Sequence, residues 1–283
     1  MLRAADLTCR FGRATVLHGV SLDVARGGIT GVLGPNGSGK TTLLRMLSGA
    51  LRPTSGEVRL DGAPIESIPK RGLARRLAVV PQEIHPVFDY TVLDLALMGR
   101  YAHLGPFGFE TALDLLAVRR ALAATGTADL ECRHFDTLSG GEKQRVVIAS
   151  ALAQFEEDTR DEGRLLVLDE PTAALDLHYQ IEVAQLLRRL ADDRGLTLLV
   201  TTHDLQFAWQ VCDRVVLLQD GRVLADGPTE ETLTPAHLHA LYGVRVDRMT
   251  HPDGSVSLVP ASLVGDRGRR APTPVLAMHG ARR

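Results

Sequence analysis

The sequence predicts an α/β fold in which a mainly parallel sheet is covered by helices on both faces and interrupted by a helical insert. Three observations carry this. First, the runs "ITGVLG", "RLLVLDEP" and "LTLLVTTHD" are apolar for the length of a strand, without the alternation of a sheet wetted on one face. Second, a stretch of helical period follows each of them: "KTTLLRMLSGAL", "HYQIEVAQLLRRLADDRG" and "LQFAWQVCD". Strands alternating with helices build parallel sheets. Third, between about 83 and 158 the segments "VLDLALMGR" and "ALDLLAVRRALAATG" read as helices with no strong strand between them.

Taken in order, the first thirty-odd residues, "ADLTCRFGRATVLHGVSLDV" and then "ARGG", alternate and turn as short strands do. "ITGVLG" runs into a glycine loop, and the helix after it stops in the Gly- and Pro-bearing "SGALRPTSG". "GEVRLDGAPI" reads as strand and turn, and "RLAVVPQ" as a short strand ending at Pro81. Beyond the insert, "EEDTRDEG" is a charged connector. "RVVLLQDGRVLADG" is a hairpin about Asp220-Gly221. Order weakens after about 247: "HPDGSVSLVP" allows one small hairpin, and "DRGRRAPTPVLAMHGARR" reads as a mobile end. The expected division is 1–247 as one domain, with the helical part at about 83–158, and 248–283 as hairpin and tail.

The chain of 283 residues is 45% hydrophobic and 23% charged, enough to bury a sizeable core. Its net charge of −2, with no basic stripe, argues against a nucleic-acid partner. Cys9, Cys132 and Cys212 are scattered and form no CxxC pair, which supports neither zinc nor a disulfide framework. His85 and His103 read as ordinary histidines, not metal ligands. No apolar run approaches the ~18 residues of a membrane helix. "MLRAADLTCRFG" lacks the core of a signal peptide, so a cytosolic chain is expected, with any membrane role supplied by a partner.

"GPNGSGKTT" supplies Gly34, Pro35, Asn36, Gly37, Ser38, Gly39, Lys40, Thr41 and Thr42, and matches G-x-x-x-x-G-K-[ST] in full. Glycines let backbone N–H groups converge on phosphates, and the following helix offers its positive end to the same anion. Lys40 reaches the β and γ phosphates, and the Thr41 hydroxyl suits Mg²⁺. "LLVLDE" places Asp169 at the carboxyl end of a buried strand, where a carboxylate can hold Mg²⁺ through water. Glu170 beside it can orient and partly deprotonate an attacking water. A second small, donor-rich stretch, "LSGGEKQR", lies about a hundred positions after the first.

These motifs, with Gln82 in "VVPQE", "ALD" at 174–176 and His203 in "TTHD", follow one another in an order that resembles the ATP-binding cassette ATPases over residues 1 to about 245. The resemblance implies a RecA-like P-loop NTPase core with an N-terminal antiparallel β subdomain and an inserted helical subdomain. It implies an ATPase that uses ATP and Mg²⁺ and works as a head-to-tail homodimer. In such a dimer Ser139, Gly140 and Gly141 of one subunit face the γ-phosphate held by Lys40 of the other. That accounts for two phosphate-binding stretches in one chain: a serine hydroxyl, exposed N–H groups and a helix N-terminus are all anion donors.

Further positions follow from the same resemblance. Phe11 stands where the family has an aromatic, usually Tyr, that stacks on adenine. Gln82 touches Mg²⁺ or water and senses the membrane partner, Asp176 lies at the dimer seam, and His203 holds the γ-phosphate. "MGRYAHLGPFG" and "LDLHYQIEV" look like the ATPases of iron–siderophore, haem or cobalamin importers. This implies transmembrane permease subunits, indirectly a substrate-binding protein, and a peripheral position on the cytoplasmic face of the inner membrane. Tyr101 and Phe107 fall in the segment expected to meet the permease. The alternatives are a cytosolic cassette for iron–sulfur assembly and an exporter ATPase.

Overall fold

Alternating burial sets the first layer. β1 (Leu2–Phe11) buries Leu2, Ala4, Leu7 and Cys9, and β2 (Ala14–Val24) buries Leu17, Val20, Leu22 and Val24. The structure, a computed structural model, describes residues 1–84, 86, 88–105, 108–155, 163–173, 175–254 and 256–263. Both opening strands are longer than the short ones expected. They pair antiparallel through a tight turn at Gly12 and absorb their length in register shifts around Asp6, which has φ +50.

The chain continues through β3 (Gly28–Leu33), α1 (Lys40–Leu47), β4 (Ser55–Leu60), β5 (Ala63–Pro64), α2 (Lys70–Ala74) and β6 (Leu77–Val80). Three helices follow, α3 (Val92–Leu97), α4 (Ala112–Ala124) and α5 (Gly140–Ala153). Each starts on a capping box that the sequence spells out: Thr91 with Asp94, Thr111 with Asp114, Ser139 with Glu142. Then come β7 (Leu165–Asp169), α6 (Leu177–Arg194), β8 (Thr197–Thr202), α7 (Leu205–Val211), β9 (Arg214–Gln219) and β10 (Arg222–Pro228). α8 (Thr229–Thr232), α9 (Pro235–Tyr242), β11 (Val244–Thr250) and β12 (Val256–Leu263) complete the described chain.

Two sheets result. The antiparallel one runs β2-β1-β4-β5. The other runs β10-β9-β3-β8-β7-β6 and is parallel except for β10, which returns from β9 through Asp220 and Gly221, both at positive φ. All of β7 and β8 is buried, as their continuous apolar sequences require.

Alternate residues of the six-stranded sheet feed two cores. Ile29, Leu33, Leu166, Leu168, Leu198 and Val200 pack with the helices of the insert and with α6 and α7. Val32, Leu165, Val167 and Leu199 pack with α1 and the antiparallel sheet. α1 is thereby held between two sheets, so the loop that leads into it has fixed ends.

The terminal hairpin is wider than "HPDGSVSLVP". β11 begins at Val244, before the boundary expected at about 247, and the pairing runs to Leu263. Val246 and Leu258 anchor it in the larger core. The expectation of a mobile end over "DRGRRAPTPVLAMHGARR" (266–283), those for His85 and Phe107, and nearly all of the charged connector "EEDTRDEG" lie outside the described residues.

Candidate active site

Gly34 leaves β3 under the backbone of β9: a Cβ there would meet Leu218 O at 2.2 Å, so only glycine lets the loop pass. Gly37 and Gly39 have φ +82 and +102, and Gly39 caps α1. The Gly221 amide of the β9–β10 turn donates to Ser38 O at 3.1 Å and pins the loop from outside.

Lys40, the first residue of α1, is buried. Its Nζ donates to Gly34 O at 2.9 Å and Pro35 O at 3.3 Å, and lies 3.3 Å from Glu170 Oε1. Glu170 follows β7 with φ +46, a strained conformation for a side-chain-bearing residue. Thr201 of β8 holds it there: the Glu170 amide donates to Thr201 O at 3.1 Å and Thr201 Oγ1 at 3.0 Å, and Thr201 Oγ1 donates to Asp169 Oδ1 at 2.5 Å. One threonine thus orients both carboxylates at the end of β7. His203 Nδ1 meets Glu170 Oε2 at 3.0 Å, which places the ring hydrogen on Nδ1 as donor.

These groups border a cleft of 690 Å³. Of the residues expected from the sequence, Asn36, Gly37, Gly39, Lys40, Thr41, Thr42, Gln82, Glu170 and His203 line it. Gly34, Pro35 and Ser38 form the loop behind, and Asp169 is buried beneath. Phe11 does not line the cleft. It is 53% exposed at the end of β1, and Val16 of β2 lines the cleft instead. Thr172, Ala173, Gln180, Thr202 and Asp204 also contribute and were not anticipated. Thr202 and Asp204 lie within "TTHD" and Gln180 within "LDLHYQIEV", and extending "LLVLDEP" by two residues reaches Thr172 and Ala173.

Ser139, Gly140, Gly141 and Asp176 are not among the lining residues either. Ser139 caps α5, and its amide and hydroxyl hold the Glu142 carboxyl below the usual carboxylate range. Gly141 is buried against Tyr179 of α6, where a Cβ would meet the ring at 2.2 Å, and Leu175 lies against Gly140. Arg145 of α5 pairs with Glu182 of α6. The loop of "LSGGEKQR" is therefore braced by the start of α6, next to Asp176.

Residues 17–173 match the model of the ABC transporter family. The chain belongs to that family. Its fold, a RecA-like core with an antiparallel β subdomain and an inserted helical subdomain, is the one described above. A hemin import ATP-binding protein of Bordetella pertussis is 43% identical over 89% of this chain and 95% of its own. A cobalamin import ATP-binding protein of Halobacterium salinarum is 39% identical over 92% of this chain, which spans 63% of that relative's length. Among solved structures, one described as an inward-facing metal-chelate type ABC transporter superposes with a TM-score of 0.79 at 31% identity, covering 92% of this chain and 96% of the other.

Proposed function

We propose that this ABC family member is the ATP-hydrolysing subunit of an importer for an iron-chelate, haem or cobalamin type cargo. It works as a head-to-tail homodimer under partner permease subunits, with cargo delivered by a substrate-binding protein. The observation that carries the reading is the meeting of Lys40, Glu170 and His203, at 3.3 and 3.0 Å, in a cleft walled by the phosphate loop and Gln82.

The residues fit a nucleotide. Ser38 Oγ is buried with no protein partner among the described residues, beside Gly37 and Gly39 at positive φ. The Lys40 ammonium is held by two carbonyls and one carboxylate, partners that a polyphosphate can replace. When Lys40 turns to phosphate, Glu170 loses a cation and becomes free to orient water, while His203 stays tethered to it. Thr41, Gln82 and Asp169 are the residues to hold Mg²⁺, which when bound supplies electrostatic stabilisation of the transferring phosphoryl group. Phe11 is the proposed adenine platform; its exposure leaves a ring face for stacking.

The permease reading is supported by an exposed apolar set on the helical insert: Phe88, Tyr101, Phe109, Leu113 and Leu116. No helix among the described residues is long and apolar enough to cross a membrane. The test is to purify the chain from membranes, identify the membrane protein that accompanies it, and measure ATP-driven uptake of haem, cobalamin and ferric siderophore into vesicles. One of the three is expected to accumulate. ATP hydrolysis with no membrane partner would instead favour an iron–sulfur assembly cassette, and outward movement of cargo an exporter.

A further inference from the structure

His203 stands two residues before α7, separated from it only by the cap residue. Asp204 follows it, lines the cleft, and caps α7 by accepting from the amides of Gln206 at 2.8 Å and Phe207 at 3.0 Å. Whatever holds the first turn of α7 therefore holds the histidine.

That turn is grasped by the terminal hairpin. The Gln206 side-chain amide behaves as a piece of neighbouring strand: its Nε2 donates to Val256 O at 3.3 Å, and its Oε1 accepts from Leu258 N at 3.1 Å. One turn further on, the Arg248 guanidinium of β11 lies 4.6 Å from the Trp209 ring centroid. Beneath these contacts Val246 and Leu258 of the hairpin share a core with Phe207, Ala208 and Val211 of α7 and with Leu238 and Leu241 of α9. A second link comes from α9. The Tyr242 hydroxyl is buried with no protein partner among the described residues. Burial pushes that phenol up to about 12, with the charges of Glu170 and Asp204 adding to the effect. Tyr242 packs against the same core as Val246 and Leu258 of the hairpin.

We infer that β11–β12 is a latch on the catalytic histidine, and that Gln206 is a positioning residue for hydrolysis, acting by fixing the turn that carries His203. The inference rests on the reading of His203 and Glu170 as the hydrolytic pair. A side-chain amide that bonds to two backbone groups of one strand fixes rotation and translation of the helix start together, which apolar packing alone does not do. With the latch released, nucleotide still binds, because α1, which follows the phosphate loop, packs in the other core.

Gln206→Met keeps length and packing and removes both bonds. In the full-length protein, amide hydrogen exchange over residues 203–211 is expected to rise about tenfold or more, while residues 36–47 exchange as in the wild type. Turnover should fall about tenfold, with KM for ATP within about twofold. In a His203→Ala background the same substitution should change turnover no further. Gln206→Glu, which keeps the acceptor toward Leu258, should recover part of both effects and serves if the Met variant folds poorly. Unchanged exchange over 203–211 would overturn the latch. A turnover loss that multiplies independently with His203→Ala would overturn the positioning role. If the wild type proves not to hydrolyse ATP, the functional reading fails while the exchange measurement still decides the latch.

Discussion

Glu170 is the residue where structure and chemistry are most tightly joined. Its backbone sits at φ +46, which for a residue with a Cβ costs on the order of 1 kcal/mol. The two hydrogen bonds from its amide to Thr201 maintain that geometry, and the result is a carboxylate presented between Lys40 and His203. Glu170→Gln is isosteric and leaves the Thr201 bonds in place. It should retain ATP binding and slow hydrolysis by about 10² or more, because the base is lost while the phosphate contacts remain. Single-turnover hydrolysis and ATP retention on a spin column check this, and near wild-type turnover would remove Glu170 from its role. The carboxylates and Lys40 were legible because their motifs have fixed spacing. The part of Thr201 was not legible: a threonine inside "LVTTHD" is indistinguishable from any buried β-branched residue until β7 and β8 are seen side by side.

At the scale of elements, the helix starts were legible and the contacts between helices were not. Thr91, Thr111 and Ser139, each followed three residues on by an acidic residue, announce their capping boxes. Asp114 has a second task that no local pattern reveals. Arg100, fourteen residues earlier and buried, donates from Nε to Asp114 Oδ1 at 2.8 Å and from Nη1 to Ala153 O at 2.7 Å, tying the start of α4 to the end of α5. Burial alone would raise the Asp114 carboxyl. The Thr111 amide and hydroxyl and the Arg100 guanidinium outweigh it and hold the group at about 2, against an ordinary 3.8. A depressed carboxyl stabilises the fold above its unfolded value, here by about 2 kcal/mol, and loses that contribution as the pH falls from about 4 to about 2. Asp114→Asn at neutral pH should destabilise the insert by about 3 kcal/mol, since it leaves Arg100 buried without its counter-charge. Amide exchange over residues 92–97, 112–124 and 140–153 is the measure. The difference from the wild type should shrink as the pH approaches 2, and a difference that does not depend on pH would argue against the pair. Gly141 teaches a related point. Its lack of a side chain reads from the sequence as access for phosphate, yet within the chain it also gives room to the Tyr179 ring.

For the whole molecule, the sequence conveyed a mainly parallel sheet covered on both faces and the succession of strands and helices along the chain, because burial on both faces writes itself as apolar runs. It did not convey the reach of the terminal hairpin, whose polar face and short apolar spacing look like a loose end until Val246 and Leu258 are found in the core. Nor does the chain gather its two candidate phosphate-binding stretches in one place: Lys40 lines the cleft, and Ser139 and Gly140 do not. A loop braced by α6 and turned outside its own site suits a partner's site, and a head-to-tail pair has the symmetry to exchange the two loops. Lys40→Ala and Ser139→Arg separate this trans arrangement from a cis one. Each homodimer then carries two damaged sites. In a dimer of one Lys40→Ala subunit with one Ser139→Arg subunit, a trans arrangement gathers both defects in one site and leaves the other with an intact Lys40 facing an intact Ser139. A cis arrangement leaves no intact site in any combination. With differently tagged subunits, and Glu170→Gln in both to halt turnover, about one occluded ATP per mixed dimer is expected and none for either homodimer. Cross-linking from a photoreactive ATP held by one chain to residue 139 of the other covers the case in which closure requires two nucleotides at once. No occlusion and no cross-chain adduct in dimers whose thermal melts match the wild type would mean that "LSGGEKQR" does not serve a partner's nucleotide.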